Sequence, residues 1–123
     1  MPKTPKPKPS IRPRLRIVTG KDIAFGPGKA DLLEALEKTG SITKAAAQLG
    51  MSYMRAWTLI RTMNSSFRGP LVEAARGGTR GGGGACLTPT GRKVLAFYRR
   101  MDDKCLAAIR SDWRDLQKLL RGF

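Results

Sequence analysis

The spacing of hydrophobic and polar positions predicts three elements between Leu15 and Gly40. The stretch from Leu15 to Gly20 alternates loosely, is rich in β-branched residues and ends at a glycine, which predicts a short strand. The "DIAF" stretch predicts a second strand after a turn at Gly20–Lys21, so the two strands form a small hairpin. In "GPGKADLLEALEKTG" the apolar positions follow helical spacing, and this predicts a first helix.

That first helix has recognisable ends. Pro27 stands at its entrance and Gly40 closes it as a glycine that can adopt positive φ. Within the helix, Glu34 and Lys38 have the spacing of a favourable ion pair. Its buried face is predicted to carry Leu32, Leu33 and Leu36.

A pair of short helices with a tight turn is predicted over residues 41–67. Two helices that cross steeply need small side chains at the crossing, and Ala45 and Ala46 provide them. Gly50 permits the positive φ of a short turn, and Ser52 can cap the helix that follows. This order predicts a helix-turn-helix, and the alternative is a generic helical hairpin. Further apolar positions of the pattern are Leu49, Met51, Ala56 and Ile60.

The outward face of the second of these helices carries candidate contacts to a nucleic acid. If Ala56, Ile60 and Met63 are buried, the opposite face can enter a DNA major groove, amino end first. Arg55 could pair with guanine and Ser52 could donate to a phosphate. Trp57 is expected in the core or between helices rather than against a base. The predicted contact residues of this helix are Ser52, Tyr53, Met54, Arg55, Thr58 and Arg61.

A glycine-rich segment follows the helix pair and lies between two strand-like stretches, "LVEA" and "ACLT". It has neither the lysine followed by Ser or Thr of a phosphate-binding P-loop nor the third glycine of a dinucleotide fingerprint. Its position predicts a wing over about residues 70–88. We expect Arg76, Thr79 and Arg80 to contact phosphates or a minor groove, with a merely flexible turn as the alternative.

One long helix is predicted at the carboxyl end, over about residues 89–121. Thr88 can cap it and Pro89 suits its first position. The steps between its apolar positions are mostly four and three, a pattern that suits either a core face or a dimer interface. These positions are Val94, Tyr98, Met101, Cys105, Ile109, Trp113, Leu116 and Leu120.

The net charge of the chain indicates which class of binding partner to expect. The 123 residues include 24 basic and 9 acidic ones, a net charge of +15, which predicts a polyanionic partner: nucleic acid first, an anionic membrane surface second. Residues 1–13 hold five prolines and several cations, which predicts a disordered basic arm. The arm either follows DNA or only aids solubility.

Other residue types argue against an enzyme and against export. The chain has no histidine, so a Ser–His or Cys–His nucleophile pair cannot form. Cys86 and Cys105 lack metal-ligand spacing. Neither a transmembrane run nor a secretory signal is visible, so we expect a cytoplasmic protein without metal, cofactor or membrane partner.

Two segments together show a family resemblance. "TGSITKAAAQLGMSYMRAWTLIRTMN" and "PLVEAARGGTRGGGGACLTPTGRKVLAFY" resemble the N-terminal winged-helix domain of the ModE family of molybdate-responsive transcriptional regulators, and more distantly the DNA-binding heads of LysR-type regulators. The resemblance covers roughly residues 14 to 120. It implies a homodimer, formed through the first strands and the last helix, that binds double-stranded DNA at a palindromic operator.

The resemblance has a limit. Members of that family carry molybdate-binding modules after this domain, whereas the given chain ends at Phe123, so molybdate sensing is not carried over. We expect either a natural single-domain member or a truncated form. Operator sequence, direction of regulation and any controlling ligand are open at this stage.

Taken together, the patterns predict a mainly α fold with a small β component. It is a winged helix-turn-helix over residues 14–123, with a long carboxyl-terminal dimerisation helix. The expected function is sequence-specific transcription regulation in a bacterial-type system. The alternative is an architectural, nucleoid-type DNA-binding protein with little sequence preference; an RNA-binding module fits less well.

Overall fold

A computed structural model describes residues 8–75 and 84–121 of the chain. Helices dominate, and two two-stranded antiparallel sheets accompany them, so the predicted mainly α winged helix-turn-helix is confirmed. In chain order the elements are β1 (Ile17–Thr19), β2 (Asp22–Phe25), α1 (Pro27–Thr39), α2 (Ile42–Gln48), α3 (Tyr53–Ser66), β3 (Val72–Ala75), β4 (Gly84–Leu87), α4 (Pro89–Ala108) and α5 (Arg110–Gln117).

The amino-terminal hairpin and α1 form as the apolar pattern predicts. β1 pairs with β2, with Val18 opposite Ile23 and the turn at Gly20–Lys21. Gly40 ends α1 at a φ of 66°, in the left-handed region that glycine adopts without strain. The predicted face of three leucines is fully buried: Leu32, Leu33 and Leu36.

The predicted ion pair within α1 is wrong. The carboxylate of Glu34 pairs with Arg99 on α4 instead of with Lys38. The guanidinium of Arg99 also reaches Asp31, at 3.0 Å, and Asp102, at 3.5 Å. The guanidinium of Arg99 has several N–H donors and can bind carboxylates of two helices at the same time. The single ammonium group of Lys38, four residues from Glu34, does not do this. Arg99 therefore joins α1 to α4.

The helix-turn-helix packs through small side chains. Ala45, Ala46 and Ala56 are at most 2% exposed, so α2 and α3 approach closely at their crossing. Gly50 has a φ of 66° in the turn. The hydroxyl of Ser41 accepts a hydrogen bond from the amide of Lys44 and caps α2.

The wing strands are attached to the helices on both sides. β3 and β4 are antiparallel, from Val72 opposite Leu87 to Ala75 opposite Gly84. On the β4 side, the amide of Ala85 donates to the carbonyl of Gly40 at 3.0 Å, in the connection between α1 and α2. On the other side, the Asn64 side chain at the end of α3 bonds to the start of β3.

The entrance to α4 matches its prediction and adds one steric constraint. The Thr88 hydroxyl accepts from the Gly91 amide at 2.9 Å and donates to the Pro70 carbonyl at 2.7 Å. A Cβ placed on Gly91 would lie 2.1 Å from the carbonyl oxygen of Leu71. A glycine is needed here because α4 lies directly against the backbone that leads into the wing.

The last helix differs from its prediction of one continuous element over residues 89–121. It divides at Ile109, whose φ of −97° and ψ of 4° are not helical, and the second part ends at Gln117. Neither proline nor glycine marks this position in the sequence. All of α5 belongs to the described part of the chain, and none of its residues is fully buried, although Trp113 is partly buried.

Candidate nucleic-acid interface

The orientation of α3 follows from its cap and its buried face. The hydroxyl of Ser52 accepts a hydrogen bond from the Arg55 amide at 3.1 Å, which fixes where the helix begins. Ala56, Ile60 and Met63 are buried as predicted, so the opposite face is directed to solvent. That exposed face includes Tyr53, 48% exposed, and Met54, 66% exposed.

The other predicted contact residues of α3 also lie at the surface. Arg55, Thr58 and Arg61 are all exposed. The hydroxyl of Thr58 donates to the carbonyl of Met54 at 2.8 Å, so its hydrogen is used within the helix. What Thr58 presents outward is a methyl group and the remaining lone pairs of its oxygen, which suit a thymine methyl or a donor on a base edge.

Trp57 does not lie in the core, so the first of the two positions predicted for it, in the core or between helices, is wrong. Its side chain is 39% exposed, because position 57 is turned about 100° from the buried Ala56 on the helix. The guanidinium carbon of Arg61 lies 4.9 Å from the centroid of the Trp57 ring. This cation–π contact covers one face of the ring and favours one direction for the Arg61 side chain.

A concave surface of about 340 Å³ separates α3 from the wing strands. Tyr53, Trp57 and Arg61 form its helix side, and Glu73, Ala74 and Gly84 contribute from the wing. The structure thus brings the outer edge of α3 and the base of the wing to one side of the molecule, as a winged helix bound across a DNA groove requires.

Arg55 is placed apart from this surface. It borders a second concavity, of about 360 Å³, which it shares with Arg14 and Arg16 of the amino-terminal segment. The sequence grouped Arg55 with Met54, Thr58 and Arg61 on one helical face. The structure separates it from the edge of α3 that lies beside the wing.

The three predicted wing contacts, Arg76, Thr79 and Arg80, lie outside the described residues, as does most of the glycine run. The strands on either side of them are described. The start of the predicted basic arm, residues 1–7, is also outside the described range, and residues 8–13 form neither helix nor strand.

Asn64 is a residue at this site that the sequence reasoning did not single out. Its Oδ1 accepts from the amides of Leu71, at 2.8 Å, and Val72, at 3.1 Å, and its Nδ2 donates to the Val72 carbonyl at 3.0 Å. One amide side chain therefore fixes the wing strand against α3. The available signal was its place in the "MN" that ends the first resemblance segment.

Lys29 is a cation that the fold removes from the surface. It is 7% exposed, and its ammonium group donates to the carbonyls of Ile23 and Ala24. Loss of hydration on burial lowers the pKa of Lys29, against a smaller opposing effect of Asp22. Lys29 fixes β2 to α1.

Three carboxylates of the domain form ion pairs with one arginine. Asp31, Glu34 and Asp102 surround Arg99, and the hydrogen bond that Arg99 donates to Glu34 is the largest cause that raises the pKa of this guanidinium. Over residues 8–75 and 84–121, no group of three His, Cys, Asp or Glu side chains is placed to bind a metal ion. None of the helices described has the length and apolar character needed to span a bilayer.

Comparison with known proteins agrees with this geometry. Residues 29–92, just over half of the chain, match the sequence profile of the bacterial regulatory helix-turn-helix protein, lysR family. The matched range runs from α1 through the wing to the start of α4.

Individual relatives point to one group of regulators. The chain is 47% identical over 74 residues to the molybdenum-pterin-binding protein MopB of Rhodobacter capsulatus, covering 60% of this chain and 27% of the relative. It is 40% identical over 96 residues to the molybdenum transport protein ModE of Azotobacter vinelandii, covering 78% and 35%. To the DNA-binding transcriptional dual regulator ModE of Escherichia coli K12 it is 42% identical over 72 residues, covering 58% and 27%.

The chain spans between 27% and 35% of the length of these curated relatives. The resemblance to ModE proteins deduced from the two sequence segments is thereby confirmed. A helix-turn-helix with an exposed second helix, an adjacent wing and a matching family profile identify the same class of protein. The chain belongs to the lysR family of bacterial regulatory helix-turn-helix proteins, which are DNA-binding regulators of transcription.

Proposed function

We propose that this protein is a sequence-specific regulator of the ModE type that binds double-stranded DNA in the cytoplasm and has no enzymatic activity. The observation that carries the proposal is the exposed outer face of α3 beside the wing strands, in a chain with a net charge of +15. Such a face matches the width of a major groove, and the positive charge supplies attraction to the phosphates.

The exposed residues at α3 would have two roles, contact with base edges and contact with a phosphate. Tyr53, Met54, Thr58 and Arg61 lie along the face that would meet base edges. The stacking of Arg61 on Trp57 supports a role in base recognition, since a guanidinium with a favoured direction loses less entropy on pairing with guanine. Ser52, at the amino end of α3, would donate its hydroxyl hydrogen to a phosphate while its oxygen caps the helix.

The wing would contact the backbone or a minor groove through Arg76, Thr79 and Arg80. The support is their position in the sequence between β3 and β4, which the structure places beside α3. Arginine is the residue that most often enters narrow minor grooves. The lysines of residues 1–13 would add affinity that does not depend on base sequence.

A homodimer on a palindromic operator is the proposed assembly. α5 buries no residue, yet Trp113 and Leu116 within it, and Leu120 just beyond it, continue the predicted apolar positions of α4. Leu116 is 50% exposed and Leu120 36% exposed. Val18 and Ile23 add an exposed apolar pair on the first hairpin, at 59% and 41%. A second copy of the chain would cover these surfaces and give the operator its two-fold symmetry.

The test is selection of binding sites from random duplex DNA, followed by affinity measurements with an R61A variant. For the wild type we expect one palindromic site. R61A should lose about 1–3 kcal/mol of binding free energy on that site and lose preference at one base pair in each half-site. R100A is the matched control, because Arg100 is an exposed arginine of α4 that lies over Phe97.

Two outcomes would contradict the proposal in different ways. Failure of the wild type to bind any duplex would exclude DNA binding altogether. Uniform binding without an enriched site, in selection and across a genome, would instead establish the architectural, nucleoid-type alternative that the high net charge also favours.

A further inference from the structure

Three arginines from distant parts of the sequence border one concave surface away from the wing. Arg14 and Arg16 precede β1, and Arg55 belongs to the first turn of α3. All three are exposed, and the floor between them is formed by the start of α1, around Gly26 and Gly28. The concavity has a volume of about 360 Å³ and is open to solvent.

The amino-terminal segment is fixed in position at this surface. Leu15 packs against the hydrophobic core, and its carbonyl accepts a hydrogen bond from the hydroxyl of Tyr98 at 2.7 Å. The aliphatic part of Arg16 lies over Gly26: a Cβ placed on that glycine would be 3.6 Å from Cγ of Arg16. The segment is thus held against the domain although it belongs to no helix or strand.

The alternation of exposed and partly buried side chains along residues 12–17 explains why the arginines of this segment are all directed to solvent. Pro13, Leu15 and Ile17 are partly buried, whereas Arg12, Arg14 and Arg16, each directly before one of them, are exposed. Successive side chains of an extended backbone point in opposite directions, so one row packs inward and the other is presented to solvent.

The concavity itself is bordered by cations, although Arg14 also lines a neighbouring concavity together with Asp31, Asp102 and Asp103. The residues that line the first concavity include no aspartate or glutamate within the described ranges. Of the carboxylates in that neighbouring concavity, Asp31 and Asp102 are paired with Arg99. Lys29, which also borders the first concavity, already donates to the carbonyls of Ile23 and Ala24.

We propose that Arg14, Arg16 and Arg55 together bind a DNA backbone phosphate next to the groove that α3 enters. This inference rests on the proposed DNA-binding function and differs in one part from the contacts that the sequence predicts. Arg55 becomes a phosphate contact rather than a guanine contact, and the residues before β1 become part of the folded interface. Arginine suits this task because its guanidinium can donate two parallel hydrogen bonds to phosphate oxygens.

The test compares two variants with the wild type on the selected site and on random duplex DNA over a range of salt concentrations. R14Q/R16Q should weaken binding to both DNAs by the same factor, about 5- to 10-fold near 0.1 M salt, because the one phosphate contact is lost. The slope of log K against log salt concentration should become shallower by about 0.9 per contact. R55Q should act in the same way, with no change of preference at any base pair.

The matched control is K104Q/R110Q, which removes two positive charges from exposed positions of α4 and α5. It should leave the salt slope within about 0.3 of the wild-type value, since neither side chain lies near the three arginines in the sequence or borders their concavity. Circular dichroism and urea unfolding of each variant separate a binding defect from a folding defect.

Several results would overturn the inference. An unchanged salt slope in R14Q/R16Q would exclude these residues from the interface, as would an equal change in K104Q/R110Q. A loss of preference at a single base pair in R55Q would return Arg55 to base recognition. Saturable binding of inorganic phosphate to the wild type, together with wild-type DNA affinity in R14Q/R16Q, would make this a site for a free anion.

Failure of this inference is distinguishable from failure of the proposed function. In the first case the wild type still binds its selected palindromic site and only the variants behave differently from expectation. In the second case the wild type itself selects no site.

Discussion

Tyr98 shows how a single side chain joins parts of the domain that are far apart in sequence. It is 2% exposed, and its ring lies 5.1 Å from that of Phe25 in an edge-on arrangement. Its hydroxyl bonds to the Leu15 carbonyl, 83 residues earlier. Helical spacing predicted that Tyr98 is an inward position of the last helix. The hydrogen-bond partner could not be predicted, because it depends on where the hairpin packs against that helix.

The burial of Tyr98 predicts a specific loss of stability at high pH. Loss of hydration is the largest cause that raises the pKa of Tyr98 above 10.0, and the charge of Asp102 adds to it. A folded-state pKa above the unfolded value means that the stabilisation is fully present below about pH 10 and is lost as pH rises through the folded pKa. In urea unfolding between pH 7 and 11, wild type should therefore lose more stability than Y98F.

Y98F also has an expected effect at neutral pH. Removing the hydroxyl leaves the Leu15 carbonyl without this donor and should cost about 1 kcal/mol of unfolding free energy. The lowered pKa of Lys29 acts in the opposite direction at alkaline pH but is present in both proteins, so it cancels in the comparison. An equal loss of unfolding free energy with rising pH in wild type and Y98F would contradict the prediction.

At the scale of elements, the sequence predicted correctly those helix ends that depend on residues within three or four positions. It did not predict features that depend on residues farther away in the sequence or on the packing of the domain. Ser52, Thr88 and Gly40 each act within three or four residues of themselves, and all three end or begin a helix where expected. The division of the last helix at Ile109 has no such local signal and was missed. The same applies to the attachment of β3 to α3, which depends on a side chain seven or eight residues away.

The attachment of the wing predicts the effect of N64A. This variant removes three hydrogen bonds and leaves the amides of Leu71 and Val72 without their acceptor, so we expect a loss of about 2–3 kcal/mol of unfolding free energy. Amide hydrogen exchange at Leu71 and Val72 should accelerate more than at the α1 core.

S65A is the control for that experiment. Ser65 is the exposed neighbour of Asn64, and its hydroxyl bonds only locally, to the carbonyl of Thr62, among the described residues. It should change stability by less than about 0.5 kcal/mol. Equal effects of N64A and S65A would show that the wing does not depend on the Asn64 amide.

For the whole molecule, the salient feature is a last helix that continues beyond the domain it closes. Tyr98 and Leu95 on α4 are buried, whereas α5 buries nothing. Sequence periodicity predicted one apolar side for this region but could not separate core from interface, since both need the same spacing. The structure assigns the first half to the core and leaves the second half to the proposed dimer.

This division of the last helix predicts how a charged side chain in its second half, at Leu116, affects dimerisation. We expect wild type to sediment as a dimer at micromolar concentration, and L116E to shift the dimer dissociation constant upward by at least about 100-fold through burial of a carboxylate. L119E is the matched control, because Leu119 is 86% exposed and lies off the apolar stripe.

The monomer fold should survive in both variants, with unchanged helical circular dichroism. A wild type that remains strictly monomeric with and without DNA would contradict the proposed dimer. A similar dissociation of L116E and L119E would place the interface elsewhere.

The two attachments of the wing strands also determine how this module can change over evolution or by design. Asn64 fixes one strand and the Gly40 carbonyl fixes the other, so the base of the hairpin keeps its place whatever the eight residues between Ala75 and Gly84 are. Closing a loop costs only about 0.6 kcal/mol more for each doubling of its length. If the wing contacts DNA as proposed, insertions and deletions there would lengthen or shorten its reach along the backbone without moving α3, the helix proposed to enter the groove.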